Sequence, residues 1–242
     1  MKKIILDCDP GQDDALAILL ALGSKKIDLE AITVVAGNAE LKKCYVNVKK
    51  ILSLAERLSV PVYKGATKPL TRDLVTLKDV FGECGMAGSK NWPIKDIPTQ
   101  EKSAIDYLVD VYQTKEAHLP HLCAIAPQTN IALALQKNPL IAQQIPTLTI
   151  MGGCVFPESI RKSTGNISFD GKQTYAEYNF AIDPDAAQIV LNSRIKQINL
   201  IGLDITRSVL YNQDIDKTIR NIPSQKARLI ADMLSTIGEE DQ

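Results

Sequence analysis

The sequence lacks an excess of charge of either sign, because 28 Lys and Arg residues balance 28 Asp and Glu residues. Proteins that bind nucleic acids or anionic membranes through charge normally carry a basic excess or a basic patch. The sequence also lacks any continuously apolar run approaching the roughly 18 residues that a membrane-spanning helix needs. We therefore expect neither nucleic acid nor a membrane as a partner. Small neutral substrates are favoured instead.

The cysteines and histidines of the sequence argue against a disulfide framework and against a zinc site. The five cysteines are odd in number and never occur in a C-x-x-C spacing, which is typical of reduced thiols. His118 and His121 flank Pro120, which interrupts any helix, so they indicate a surface loop rather than a metal site. The basic N-terminus has an apolar run of only three residues before Asp7, too short for a signal peptide. We expect a cytoplasmic protein.

Short aliphatic runs alternate with longer helical patterns along nearly the whole chain. Near-continuous apolar strands separated by helices predict an α/β fold, with a mainly parallel sheet and helices on both faces. A length of 242 residues suits a single domain over residues 1–242. The predicted strands cover residues 4–6, 29–36, 60–63, 122–126, 148–151 and 198–203. The predicted helices cover residues 13–22, 40–58, 104–112 and 130–136, a segment beginning at 183, and a stretch around 227–237.

Two stretches break this alternation. Residues 70–99 are rich in Gly, Pro and Lys, and residues 157–177 are rich in Ser, Gly and Thr. Loops of such length are uncommon unless they cover a site or are disordered. Ligands of open α/β sheets bind beyond the carboxyl ends of the strands. We expect both loops to form walls of a site there.

Four carboxylates fall within eight residues at the end of the first predicted strand: Asp7, Asp9, Asp13 and Asp14. Capping of the following helix accounts for one or two of them, since the helix dipole favours negative charge at its N-terminus. Crowding should raise the pKa values of the others unless a cation neutralises them. Oxygen ligands without nearby His or Cys select a hard ion such as Ca²⁺ or Mg²⁺. A D-x-D after a strand also occurs in phosphoryl-transfer enzymes that form an aspartyl-phosphate, and this spacing leaves that alternative open.

The complete string DPGQDDA at residues 9–15 is more specific, because it resembles the nucleoside hydrolase family. Members of that family split a ribonucleoside into ribose and base. Further segments resemble the family in the family's order, so that the similarity spans about residues 4–207. They are VVAGN at 34–38, APQTNIA at 126–132, MGG at 151–153, AEYNF at 176–180, DPDAA at 183–187 and GLDIT at 202–206.

The resemblance implies a Rossmann-like nucleoside hydrolase fold and a Ca²⁺ ion at the floor of the site. It implies Asp9, Asp14 and the backbone carbonyl of Ile125 as metal ligands, with Asp9 also the general base for the attacking water. Asp7 would support these ligands from behind. The resemblance further implies a homo-oligomer, either a dimer or a tetramer. The residues expected to contact the ribose are Asp13, Asn38, Met151, Asn166, Glu177 and Asn179.

Two departures from the family pattern bear on activity. Family members usually continue into a region carrying a His-Asp pair that supplies a further Ca²⁺ ligand and assists the departing base, and this sequence contains no such pair. We therefore expect a C-terminally truncated chain. Phe81 stands where many members place a His that faces the base, and Phe cannot transfer a proton. Hydrolysis impaired by truncation is the leading hypothesis, and an inactive nucleoside- or ribose-binding remnant is the non-enzyme alternative.

Overall fold

A computed structural model describes residues 1–98, 100–114, 116–155, 165–169 and 172–236. Its strands are β1 (Lys2–Cys8), β2 (Ile27–Val34), β3 (Val62–Lys64), β4 (His121–Ala124), β5 (Leu148–Met151), β6 (Ser168–Phe169), β7 (Lys172–Gln173) and β8 (Ile198–Ile201). Its helices are α1 (Gln12–Gly23), α2 (Leu41–Ala55), α3 (Lys78–Phe81), α4 (Ala104–Gln113), α5 (Thr129–Lys137), α6 (Tyr178–Ile182), α7 (Pro184–Leu191), α8 (Leu203–Thr206), α9 (Gln213–Arg220) and α10 (Gln225–Leu234), with a 3-10 helix at Pro139–Gln143.

The main sheet has six strands in the order β3-β2-β1-β4-β5-β8, and every pair in it is parallel. The chain builds outward from β1 in one direction through β2 and β3, and then in the other through β4, β5 and β8. The order therefore reverses between β1 and β4. Such a reversal opens a crevice beyond the carboxyl ends of the two strands, where ligands of doubly wound sheets bind.

Helices cover both faces of the sheet. On one face, α4, α5, α7 and the 3-10 helix bury their apolar residues against Ile5, Leu122 and Ile150. On the other, α1, α2 and the end of α10 pack on Leu6 and Ile32. The alternating side chains of β1 thus serve two cores, which explains why its sequence is apolar without interruption from Ile4 to Leu6. The predicted α/β architecture is confirmed.

The two predicted loops are only partly irregular. Residues 70–98 contain α3 and bury Met86 and Trp92 against the second core. Within the described part of residues 157–177, β6 and β7 form an antiparallel pair, while residues 157–164 and 170–171 lie outside the described residues. Among the helices described, none is long and apolar enough to cross a membrane.

Candidate active site at the switch point of the sheet

The acidic cluster lies at the reversal of strand order. β1 ends at Cys8, and the chain turns through Asp9 and Gly11 into α1. Asp9 and Asp14 are both buried, with 0% and 2% of their surfaces exposed. The Asp14 carboxylate accepts hydrogen bonds from the Gly11 N–H (3.1 Å) and the Asp9 N–H (3.4 Å). Asp14 therefore caps its own helix and fixes the turn that carries Asp9.

Burial and mutual repulsion make it unfavourable in free energy for Asp9 and Asp14 to be ionised together. Burial raises the pKa of Asp9 well above its ordinary value, and the charge of Asp14 raises it further. Burial likewise raises the pKa of Asp14, followed by the charge of Asp13. The Oδ1 atom of Asp9 is buried and has no hydrogen-bond partner among the described residues. Two buried carboxylates in this arrangement require a proton or a cation to neutralise them.

Asn38, at the turn after β2, holds both carboxylates. Its backbone N–H donates to Oδ2 of Asp9 at 2.7 Å. Its side-chain amide donates to the backbone carbonyl of Asp9 at 3.0 Å and to Oδ2 of Asp14 at 3.4 Å. The residue is 6% exposed. The contacts in the structure are thus to the acidic cluster, and the ribose contact expected from the sequence stays a prediction.

Gly37 gives Asp9 the room it needs. A Cβ atom built on Gly37 would lie 2.0 Å from Oδ2 of Asp9 and 3.0 Å from the ring of Pro127. The first distance is far shorter than any non-bonded contact allows. Only a glycine permits the turn to approach the carboxylate so closely. The Gly-Asn pair after β2 is therefore a part of the site.

Asp7 lies behind the pair, on β1, and is fully buried. Its Oδ1 atom accepts hydrogen bonds from the Thr33 hydroxyl (2.5 Å) and the Asn130 amide (2.8 Å). Burial raises the pKa of Asp7 to about 7, against the opposing effect of these two donors. Its Oδ2 atom has no hydrogen-bond partner among the described residues. The position fits the supporting role predicted for Asp7.

Glu177 and Asn179 lie across the crevice, at the start of α6. The Glu177 carboxylate caps this helix by accepting the N–H groups of Asn179 (2.8 Å) and Phe180 (3.1 Å), and it also accepts the N–H of Gly153 (2.8 Å). Burial raises the pKa of Glu177, and these N–H donors oppose the rise. Glu177 thus joins the end of β5 to α6.

The Asn179 amide connects the ends of two strands. It donates to the backbone carbonyl of Met151 at 3.1 Å and contacts the Met151 sulfur at 3.3 Å. It also reaches the backbone carbonyl of Ile125 at 3.4 Å. Ile125 follows β4 directly, and its N–H donates to the Asp7 carbonyl at 2.9 Å. The carbonyl predicted as a metal ligand therefore lies just beyond β4, the strand next to β1.

Asn166 is exposed, and its side-chain oxygen accepts the N–H of Tyr178 at 2.7 Å. The Tyr178 hydroxyl in turn donates to the carbonyl of Val75 at 2.7 Å. Tyr178, flanked by Glu177 and Asn179, therefore connects the two stretches that the sequence predicts as walls.

The first of these walls passes over the acidic turn. The Leu77 N–H donates to the Asn38 carbonyl at 3.1 Å. The Phe81 ring lies 3.0 Å from where a Cβ on Gly11 would be. A cavity of about 190 Å³ beside this contact is lined by Asn38, Thr76 and Lys78, among others. Asp13, in the first turn of α1, is exposed, and its Oδ1 atom lies 3.1 Å from where a Cβ on Gly11 would be. Residues 77–81 thus lie beside the acidic turn, and their role as a wall of the site stays a prediction.

The donor set suits a hard cation better than a soft one. Two buried carboxylates, an unpartnered Oδ1 on Asp9 and a neighbouring backbone carbonyl are all oxygen donors, which Ca²⁺ and Mg²⁺ prefer. Within the part of the chain that the structure describes, no group of three or more His, Cys, Asp or Glu side chains converges as a metal site. Among the described residues, the carboxylates that converge at this turn therefore number two, Asp9 and Asp14.

Three buried polar side chains that support the site escaped the sequence reasoning. Thr33 and Asn130 hold Asp7, as described above. The amide of Asn47, on the buried face of α2, donates to the carbonyls of Pro10 (3.0 Å) and Cys84 (2.9 Å). It thereby joins the acidic turn to the wall above it. In the sequence, such residues could have been found as polar residues at otherwise apolar positions of a strand or helix face. Asn47 is an example, since it shares the apolar face of α2 with Cys44 and Ile51.

We expect Asn47→Ala to lower the free energy of unfolding by about 2 kcal/mol, because the carbonyls of Pro10 and Cys84 lose their shared donor. Urea denaturation followed by circular dichroism measures the change. Asn91→Ala, at an exposed amide, is the matched control and should change stability by less than about 0.5 kcal/mol. Equal stability of the two variants would contradict the assigned role of Asn47.

Comparisons with known proteins identify relatives that match nearly the whole chain. The family model described as inosine-uridine preferring nucleoside hydrolase matches residues 4–242. The inosine-uridine preferring nucleoside hydrolase of Leishmania major is 35% identical over 233 residues, covering 96% of this chain and 70% of that protein. The pyrimidine-specific ribonucleoside hydrolase RihA of Escherichia coli is 36% identical over 231 residues, covering 96% and 70%. The solved structure of a purine-preferring ribonucleoside hydrolase from Gardnerella vaginalis matches with a TM-score of 0.84 and 31% identity, covering 98% of this chain and 72% of that one.

Proposed function

Because the chain belongs to the inosine-uridine preferring nucleoside hydrolase family, we propose that it hydrolyses the N-glycosidic bond of ribonucleosides to ribose and free base. One observation carries the proposal: two buried, mutually repelling carboxylates, Asp9 and Asp14, occupy the switch point of the sheet. Such a pair is retained at a free-energy cost, which a catalytic role explains. The reaction needs a held sugar, an activated water and a departing base.

Asp9 acts as the general base. Its Oδ2 is occupied by the Asn38 N–H, whereas its Oδ1 has no hydrogen-bond partner among the described residues and can take a proton from water. The water oxygen then forms a bond to the anomeric carbon of ribose. The bond from that carbon to the base nitrogen breaks, and its electron pair leaves with the base. Burial favours this role, because it raises the proton affinity of the Asp9 carboxylate.

Asp9, Asp14 and the backbone carbonyl of Ile125 would hold a Ca²⁺ ion. When bound, the ion lowers the pKa of a neighbouring water and offsets the charge of the carboxylate pair. The hydrogen bonds of Asn38 support this assignment, since its backbone and side-chain N–H groups bind one oxygen of each carboxylate and so hold the two carboxylates together. The oxygen-only donor set described above supports it as well.

The ribose would lie between the acidic turn and the start of α6. Asp13 is exposed on the first side, with Asn38 behind it. Met151, Glu177 and Asn179 line the second side, and Asn166 lies at its edge. The Glu177 carboxylate accepts hydrogen bonds from three N–H donors. It still has a lone pair that can accept a hydrogen bond from a sugar hydroxyl.

Binding of a ribonucleoside without release of the base is the second candidate function, and Phe81 is the observation that favours it. Its ring packs against Gly11 at the site, and a phenyl ring cannot protonate the departing base. Release of reducing sugar from inosine and from uridine separates the two functions. Inosine and uridine are both needed, because the printed names of the relatives differ in base preference.

We expect Ca²⁺ at 100 times its dissociation constant to raise the free energy of unfolding by about 2.7 kcal/mol, because only the folded chain brings both carboxylates together. Thermal unfolding with CaCl₂ and with EDTA measures this, alongside hydrolysis under the same conditions. MgCl₂ is the control for a general effect of divalent salt. Hydrolysis that continues at full rate in EDTA would contradict a role for calcium.

A further inference from the structure

Asn130, in the first turn of α5, uses both ends of its amide inside the protein. The side chain is completely buried. Its nitrogen donates to Oδ1 of Asp7 at 2.8 Å, and its oxygen accepts the N–H of Ala66 at 2.8 Å. We propose that Asn130 is a positioning residue that sets the place of the Asp9 carboxylate, an inference that rests on the function proposed above. It links Asp9 to the rest of the sheet by two separate routes.

The first route runs along β1. Asn130 shares Oδ1 of Asp7 with the Thr33 hydroxyl, so donors from α5 and from β2 hold the same oxygen. The Asp7 carbonyl accepts from the Ile125 N–H at 2.9 Å. Asp9 follows two residues later, on the same face of the strand end. The side chain and the backbone of Asp7 are thus both fixed just before the reacting carboxylate.

The second route passes over the ends of β3 and β2. The Ala66 residue that donates to Asn130 also accepts, through its carbonyl, the N–H of Ala36 at 3.0 Å. Ala36 precedes Gly37, and a Cβ built on Gly37 would lie only 2.0 Å from Oδ2 of Asp9. The next N–H in the chain, that of Asn38, donates to this same oxygen. A shift at Ala66 therefore reaches Asp9 through the turn that contacts it.

The position of Asn130 tolerates little movement. A Cβ built on Gly65 would lie 2.0 Å from Oδ1 of Asn130, so the backbone beyond β3 is pressed against the amide. The amide therefore cannot move toward Gly65, and its hydrogen bonds to Ala66 and Asp7 restrain it from moving away. Groups that orient metal ligands from behind typically change metal affinity or activity by about 10- to 100-fold when they are mutated.

The test compares Asn130→Ala with Tyr112→Phe. Tyr112 is buried, and its hydroxyl donates to the carbonyl of Pro120 at 3.0 Å, at the opposite, amino-terminal edge of the sheet. Both variants lose buried hydrogen bonds, two in Asn130→Ala and one in Tyr112→Phe, but only the first loses them beside the site. Calorimetric titration with CaCl₂ alone gives cation affinity, and inosine hydrolysis gives kcat and KM. Both are measured at a temperature at which circular dichroism shows every variant folded.

We expect Asn130→Ala to weaken Ca²⁺ binding and to lower kcat by about 10- to 100-fold each, while Tyr112→Phe changes neither by more than about twofold. Gly65→Ala displaces the amide from the other side, and Thr33→Val removes the second donor to Asp7. These two variants should show the same losses to a smaller degree, and they carry the test if Asn130→Ala does not fold.

Unchanged cation affinity and kcat in the Asn130, Gly65 and Thr33 variants, in a wild type that binds calcium and hydrolyses inosine, would overturn the inference alone. A wild type that neither binds calcium nor hydrolyses a nucleoside would overturn the proposed function, and this inference with it. A loss in Tyr112→Phe equal to that in Asn130→Ala would also overturn the inference, because general destabilisation would then explain both.

Discussion

Replacing Asp9 by Asn should lower hydrolysis by at least about a thousandfold, while leaving the metal-free protein as stable as the wild type or more so. The loss of activity follows because the amide can neither accept the proton of water nor supply a charge to a cation. Stability should not fall, because the substitution removes a buried charge that Asp14 repels. Few substitutions in a buried site combine these two effects, which makes this variant a sharp test.

Hydrolysis of inosine and uridine gives the first quantity, and urea denaturation in EDTA gives the second. Asp28→Asn removes an exposed carboxylate at the amino-terminal edge of the sheet and should change neither. In CaCl₂ the wild type should be stabilised and the Asp9 variant should not. An Asp9→Asn protein that keeps wild-type turnover would contradict the assignment of the general base.

Gly37→Ala should damage activity and stability together. The added methyl would lie 2.0 Å from Oδ2 of Asp9, so that the carboxylate or the turn must move. Overpacking of this kind costs about 1 to 3 kcal/mol of unfolding free energy. A displacement of about 1 Å at a catalytic group can lower the rate by about a hundredfold. Denaturant unfolding and the hydrolysis assay measure the two losses.

Gly23→Ala is the matched control for this substitution. Gly23 ends α1 at the opposite edge of the sheet, and a Cβ there would meet nothing within 4 Å. Alanine in this helix should leave hydrolysis unchanged and raise stability by up to about 1 kcal/mol. A Gly37→Ala protein as stable and active as the Gly23→Ala protein would show that the turn after β2 has more room than its geometry indicates.

Most of the fold could be predicted from the sequence, because apolar periodicity is a local signal. The ends of elements were harder to predict where the backbone departs from common rules. The second helix was predicted over residues 40–58, yet it ends at Ala55, because Glu56 adopts a left-handed conformation with φ of 58°. Glycine would signal such an end, but glutamate does not. Local backbone hydrogen bonds close the helix there, because the N–H groups of Glu56 and Arg57 donate to the carbonyls of Ser53 and Leu52.

The candidate site could be predicted less completely. The acidic cluster was evident because its carboxylates are neighbours in the sequence. The residues that hold these carboxylates are not neighbours in the sequence. Asn38, Thr33 and Asn130 come from three separate parts of the chain and contact Asp7 or Asp9 only when the sheet is assembled. Glu177 illustrates the same limit. The sequence alone does not distinguish a carboxylate that caps α6 and binds the Gly153 N–H from one that binds only a sugar hydroxyl.

The only tryptophan of the chain gives the fold a built-in optical probe. Trp92 is 4% exposed, and its indole N–H donates to the carbonyl of Leu229 in α10 at 3.2 Å. Its emission therefore responds to the seating of α10 against residues 82–98, whereas far-ultraviolet circular dichroism averages over every helix. Superimposable fluorescence and dichroism curves would mean that the last described helix melts with the sheet. A fluorescence change at lower denaturant would mean that this helix detaches first.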